Sequence, residues 1–358
     1  MLWLCHGYKR MLDMKKILTI VMMLAVAAAL FPAAGQEVEV TSQRRLLEGV
    51  EGPAFYPVIN PAGDRLLYCS GNGALKVHDF NDGVTLLVSE GPVAGHDACW
   101  GGDGKVYFVT QRIGEDHLVY RTGQSYEATT RKTTQLTAPL HGAVRAVPAT
   151  HGGALKAPGR ETIESSANIG NAAWTEGNRV YVTVGDDERV FSPVDSWAGY
   201  LWASISPDGQ RVAFFAAGKG IVIIDLRGQV LAMLGNYEMP CWYNNDYLVA
   251  QNAKDDGHQI TSSQLLLLKA DGTWQAELTR PSSMAMHPTC GGGKIVYTTI
   301  DGLLYEMKIN IYDKDKPFVP YEKIIIAVND DGTAGGSGCE CGYGPATPRL
   351  YQPWPWRL

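Results

Sequence analysis

One pattern recurs six times along this chain. An apolar or aromatic residue leads into a polar turn rich in Gly, Asp and Asn, and a strand of alternating apolar residues follows. The copies occupy residues 57–68, 98–108, 172–182, 203–214, 240–249 and 288–297. Their anchors, Ile59, Trp100, Trp174, Ile205, Trp242 and Cys290, stand 41, 74, 31, 37 and 48 residues apart. Four of these gaps fit one four-stranded unit of about 40 residues, and the longest holds a unit plus an insertion.

Each copy reads as a hairpin. Pro207-Asp208-Gly209 and Gly101-Gly102-Asp103-Gly104 supply the fixed and positive φ angles of tight turns, and the flanking Val, Ile, Tyr and Phe suit strands. A third strand follows in several units, as at 221–226, 265–270 and 75–80, and a fourth can be read at 275–279. A unit of this size cannot bury both faces of its own sheet, whereas units stacked radially can. The expected fold is therefore all-β: a six-bladed β-propeller of four-stranded blades. The last unit shows three strands, and an orphan strand at 38–47 precedes the first anchor. That strand is expected to complete the sixth blade and close the ring, which hides an edge that would otherwise template aggregation. The 40 glycines among 358 residues fit a turn-rich β-chain.

The expected domain organisation has three parts. Residues 1–35 read as a signal peptide: Lys15-Lys16, then the apolar run Ile17 to Leu30, then small residues before Gln36. Met14 reads as the initiator, and residues 1–13 then read either as a start-site artefact or as an extended n-region. The apolar run is shorter than the roughly 20 residues a membrane span needs, so the mature chain is expected to carry no span and to be periplasmic or secreted. Residues 36–310 form the propeller, with a loop insertion at 137–168 that reads either as a surface loop or as a lid over the channel. Residues 311–358 form a partly flexible C-terminal extension. It holds a plausible strand at 324–328, a Gly335-Gly336-Ser337-Gly338 break, and Trp354 and Trp356 near the end. The extension is either disordered or docks on a partner.

With 45% hydrophobic and 19% charged residues the chain is not an intrinsically disordered one. Its net charge of −6, without a basic block, argues against nucleic acid. Cys69, Cys99, Cys241 and Cys290 lie in apolar strand contexts and read as buried free thiols. Cys339 and Cys341 lie in the Gly-rich tail, and their disulfide state is open.

The copy Ser206-Pro207-Asp208-Gly209-Gln210-Arg211-Val212-Ala213-Phe214 resembles the repeat of the TolB-like β-propeller family. Weaker copies are Pro240-x-Trp242, and Pro57-x-Ile59 with Pro61-Ala62-Gly63. The resemblance covers about residues 38–310 and implies the propeller. It does not imply a function, since peptidase and polysaccharide-lyase propellers carry the same repeat. The N-terminal α/β domain of TolB has no room between Gln36 and Phe55, so its role in the cell-envelope complex is not carried over.

The chain shows no Gly-x-Ser-x-Gly, P-loop, HExxH or EF-hand motif. Position within the repeat offers a different argument. The pair of residues just ahead of the Pro or Ala of each unit should sit at the mouth of the central channel. These pairs are Phe55-Tyr56, His96-Asp97, Gly170-Asn171, Leu201-Trp202, Glu238-Met239 and Met286-His287. The candidate ligand-binding residues are Tyr56, His96, Asp97, Asn171, Trp202, Glu238 and His287. Aromatic faces flanked by hydrogen-bonding groups suit an oligosaccharide or a peptide. The expected function is a monomeric, exported, non-catalytic module. It needs no cofactor and binds such a ligand or a periplasmic protein through the channel mouth. The alternative is a carbohydrate-active enzyme of polyuronide lyase or lactonase type, dependent on one divalent metal. His96, Asp97 and His287 would then be its ligands, since the lyases that share the repeat use channel histidines and a metal.

Overall fold

A computed structural model describes residues 36–48, 52–90, 93–141, 144–150, 152–156, 164–165, 170–185 and 187–313. The signal-peptide reading of 1–35 and the strand and tail readings of 324–358 lie outside the described residues. So do 142–143, 151, 157–163 and 166–169 of the insertion region.

The described chain is built of strands, with one short 3-10 turn at Pro281–Ser283. The N-terminal strand is β1 (Gln36–Arg45). The first sheet is β2 (Ala54–Ile59), β3 (Arg65–Ser70), β4 (Leu75–Asp79) and β5 (Thr85–Ser89). The second is β6 (Val93–Trp100), β7 (Val106–Ile113), β8 (Val119–Glu127), β9 (Lys132–Gln135) and β10 (Leu140–His141). The third joins β11 (Arg145–Ala149), β12 (Gly152–Lys156), β13 (Glu164–Ser165), β14 (Ala172–Glu176), β15 (Arg179–Val184) and β16 (Asp187–Phe191). The fourth is β17 (Tyr200–Ile205), β18 (Arg211–Ala216), β19 (Gly220–Asp225) and β20 (Val230–Met233). The fifth is β21 (Glu238–Trp242), β22 (Tyr247–Asp255), β23 (Ile260–Lys269) and β24 (Gln275–Glu277). The sixth is β25 (Ala285–Gly291), β26 (Lys294–Thr299) and β27 (Leu304–Asp313), completed on its outer edge by β1. The six sheets form a six-bladed β-propeller.

The cores lie between blades, which explains the sequence of the middle strands. A strand covered on both faces reads as a continuous apolar run rather than an alternating one. In β23, Leu266 and Leu268 pack toward the fourth blade with Ala213, Ile221 and Ile223, while Leu265 and Leu267 pack toward the sixth with Ala285, Ile295 and Met307. In β19, Ile221 and Ile223 face the fifth blade, and Val222 and Ile224 face Val180 and Val182 of the third.

Three of the repeated anchors latch a blade to the one before it. The Trp100 indole donates to Val58 O (2.8 Å) and the Trp242 indole to Ser204 O (3.0 Å). The Ile59 amide donates to Thr289 Oγ1 (3.2 Å) across the ring closure. Each latch runs from an anchor to the residue just before the preceding blade's anchor. Buried hydroxyls add a second set: Thr298 to Ala54 O (2.8 Å) and Ser263 to Ala285 O (2.6 Å).

Closure follows the expected route. β1 pairs antiparallel with β27 from Gln36 opposite Asp313 to Arg45 opposite Tyr305, with one bulge between Val40 and Ser42. The Trp274 indole holds Gln36 O (2.9 Å), and Arg44 reaches the buried Glu306 (3.3 Å). Glu306 also meets Lys294 (3.4 Å), whose ammonium donates to Gly63 O of the first blade (2.9 Å).

The third sheet departs from the expected plan. The segment read as a loop insertion supplies β10 to β13 instead. Its Ala, Gly and Pro content suggests a loop, but Gly152 and Gly153 are there because backbone meets backbone. A Cβ on Gly153 would lie 2.3 Å from Cys99 Sγ, and one on Gly152 would lie 2.0 Å from the Gly102 amide. The β11–β12 hairpin packs on the second blade through Val144, Ala146 and Leu155. It turns at the same end of the ring as the other first hairpins. The β14–β15 hairpin turns at the other end: its Gly177 O accepts from the Tyr200 amide at the start of β17 (2.7 Å). The two halves meet through the single pair Ala149–Ala172. The 172–182 copy thus shares the repeat's composition but runs in the opposite direction.

Candidate functional site

Four of the positions picked out ahead of Pro or Ala share an unusual backbone. Tyr56 (φ 53°), Trp202 (φ 53°), Met239 (φ 52°) and His287 (φ 52°) are left-handed, a conformation that costs a residue with a Cβ about 1–2 kcal/mol. Each sits in a bulge where the first strand of its blade slips register: Phe55/Val58, Leu201/Ser204, Glu238/Cys241 and Met286/Thr289. Each is followed by Pro57, Ala203, Pro240 or Pro288. A bulge re-aims the side chain it carries, and here it does so at the same place in four blades.

The neighbourhood of these residues is well defined. The Tyr56 and His287 rings lie 4.6 Å apart at 36°, across the joint between the first and sixth blades. The His287 amide donates to Oε1 of the buried Gln251 (3.0 Å). Trp202 leans on Phe215 at 5.4 Å. At the start of β21, burial pushes the Glu238 carboxyl above its ordinary range, and the Asp255 charge adds to the shift.

Two sequence-derived candidates take other positions. Asn171 does not join the mouth. Its Nδ2 donates to Gly209 O (2.8 Å) in the β17–β18 turn, and its carbonyl accepts from the Thr150 amide (2.9 Å). The reversal of β14 carries it to the opposite end of the ring. His96 and Asp97 lie on β6, inside the register shift between Val93 and Ala98, but their side chains lie outside the described residues. The proposed set His96, Asp97 and His287 is therefore placed only through His287. Among the described residues no group of three or more His, Cys, Asp or Glu comes together.

A cavity of about 390 Å³ opens at the mouth where the third blade breaks the repeat. Trp202, Leu201 and Tyr200 line it from β17, Trp174, Thr175 and Glu176 from β14, Arg145 to Pro148 from β11, and Arg121 from β8. The Arg145 Nη1 donates to Thr175 O (3.0 Å), which fixes the guanidinium against the wall. Trp174 is stacked on Tyr181 at 5.1 Å and 8°, which fixes the indole plane. Arg121 is half-buried and forms no ion pair among the described residues. The lining thus offers two guanidiniums, two half-buried indoles and one carboxylate, and no Ser, Cys or His. A second cavity, of about 320 Å³ between the first two blades, has its Arg65 already paired with Asp79 (2.9 Å).

Of the cavity's functional groups, only Trp202 was singled out by its place in the repeat. Arg121 and Arg145 carry a weaker signal, each the lone cation of its strand, in Val119-Tyr120-Arg121-Thr122 and Val144-Arg145-Ala146-Val147. Trp174 was visible as an anchor but not as a lining residue.

No family model matches the chain, and no curated protein matches it. Among solved structures, the crystal structure of TolB from Acinetobacter baumannii is similar at 13% identity and a TM-score of 0.41, over 72% of this chain. The chain spans about 56% of that protein's length. The six sheets of this chain show a six-bladed β-propeller.

Proposed function

We propose that this chain is an exported, non-catalytic binding module that takes an acidic ligand at its channel mouth. The observation that carries the reading is the cavity between the second, third and fourth blades. Two guanidiniums select an anionic group, because a charge-assisted hydrogen bond in a half-buried site is worth about twice a neutral one. The Trp174 and Trp202 faces suit the flat apolar side of a sugar ring or side chain. The bulge strain at Trp202 supports the same site. Export rests on the 1–35 pattern.

The test is a binding screen of the full chain against paired acidic and neutral oligosaccharides and peptides, repeated with Arg145→Ala and Trp202→Ala. The reading expects an acidic probe to bind and each variant to weaken it by about tenfold or more at unchanged melting temperature. Equal binding of the neutral partner by the wild type, or full affinity in both variants, would remove the cavity as the site.

A further inference from the structure

We infer that Cys241 and Cys290 are a cross-linking pair that joins the fifth blade to the sixth through a disulfide. This goes beyond the binding reading and does not depend on it.

The argument starts from the latch. At two joints the anchor of one blade reaches the residue just before the anchor of the preceding blade: Trp100 to Val58, and Trp242 to Ser204. The same geometry crosses the closure, where Ile59 meets Thr289. At the joint between the fifth and sixth blades this rule brings together Cys290, the sixth anchor, and Cys241, the residue before Trp242. Cys241 pairs in register with Val249, and Cys290 packs against the core between the fifth and sixth blades that holds Val249, so both thiols face this joint. Both are free thiols, and both are half-buried. Where an anchor meets a backbone carbonyl or a hydroxyl at the other three joints, here it meets a second thiol; the Ser263 hydroxyl bond to Ala285 O crosses the same joint at other strands.

The chemistry needs an oxidant, and a small-molecule disulfide such as glutathione disulfide supplies it. One cysteine thiolate attacks that disulfide and releases glutathione, leaving a mixed disulfide on the protein. The second thiolate displaces the bound glutathione, and the protein disulfide forms. The two thiols lose two protons and two electrons, and one glutathione disulfide becomes two glutathione molecules. Burial and the neighbouring Cys241 hold the Cys290 thiol well above its ordinary range, so exchange starts slowly at neutral pH and speeds up as pH rises.

The experiment uses the full chain. It is reduced with dithiothreitol, desalted, incubated with glutathione disulfide at pH 8.5, blocked with iodoacetamide and digested with trypsin. Cleavage at Lys254 and Lys269 separates the two cysteines. The expected result is one linked species, two hydrogens lighter than its two peptides, that contains Cys241 and Cys290. Iodoacetamide labelling of both disappears together, while the buried Cys69, whose thiol is pushed up to about 11, stays unlinked. The oxidised wild type should melt a few degrees above the reduced form, because the bridge closes a loop of about 50 residues. Cys241→Ser and Cys290→Ala should each abolish that difference. The inference is overturned if both thiols are alkylated or separately glutathionylated in a chain that circular dichroism shows folded. Linkage of either one to another cysteine overturns it as well. The mass readout on the wild type decides the matter even if a variant fails to fold.

Discussion

Tyr56, Trp202, Met239 and His287 hold a backbone that most side chains resist, and they hold it at one place in four blades. Glycine adopts that conformation without the Cβ penalty, so stability and side-chain function should separate there. Met239→Gly is expected to raise unfolding free energy by up to about 1 kcal/mol in urea titration. Trp202→Gly should leave stability similar or higher while removing a wall of the cavity and weakening ligand binding. A loss of stability in both variants would show that the side chains outweigh the backbone. The support behind the strain can be tested as well. Gln251→Leu removes the acceptor for the His287 amide and should cost about 1–2 kcal/mol by the same measurement. The repeat made these positions legible, because counting back three residues from an anchor lands on each of the four. It could not announce the positive φ, since nothing in Tyr, Trp, Met or His codes for it. The count failed at Asn171, where the strand that follows runs the other way.

At the scale of the element, β1 is the strand on which the ring depends, and its charge anchor is Glu306. Burial alone would push this carboxyl up, but Arg44 and Lys294 outweigh burial and hold it below the ordinary glutamate value of 4.5. A depressed carboxyl contributes stability that is full above its unfolded value and fades as pH falls through the folded one. Melting temperature should therefore hold from neutral pH down to about 4.5 and drop below it. Glu306→Gln should flatten that acid decline and cost about 2 kcal/mol at neutral pH. The cost falls below the usual range for a broken buried pair because Arg44 is largely exposed. An acid decline of equal depth in the variant would assign it to other carboxylates. Most hairpins were legible from their turns, as Ser206-Pro207-Asp208-Gly209 and Pro61-Ala62-Gly63 show. The β11–β12 hairpin was not. Its Gly152 and Gly153 serve a close approach to Cys99 and Gly102 rather than a loop.

At the scale of the whole molecule, the ring is regular where its cores are regular and opens where the repeat breaks. Blade count and closure could be read from spacing and from the missing strand of the last unit, because radial stacking forces both. The cavity could not, because it arises from the reversed β14 meeting β11 and β17, a contact that no local pattern encodes. Two predictions belong at this scale. Binding of an acidic probe should weaken as salt is raised from 50 to 500 mM, and Arg121→Ala should reduce that dependence as well as the affinity. Salt-independent binding would mean the guanidiniums are spectators. Incubation with EDTA should change neither affinity nor melting temperature. A chelator-sensitive loss of either would return His96, Asp97 and His287 to the front as metal ligands.

The pairing of Gln36 with Asp313 has a consequence for the order of events in making the protein. The segment synthesised first among the described strands finds its partner in the one synthesised last. Neighbouring blades can begin to pack as they emerge, but β1 must wait unpaired until β27 exists. The final step of folding is therefore the docking of a long-waiting strand, and its rate carries the entropy of bringing distant segments together. It also follows that the chain could be opened elsewhere. Joining residue 36 to residue 313 with a short linker and cutting between two blades would make every blade from contiguous chain, and such a permutant should fold faster than the natural order.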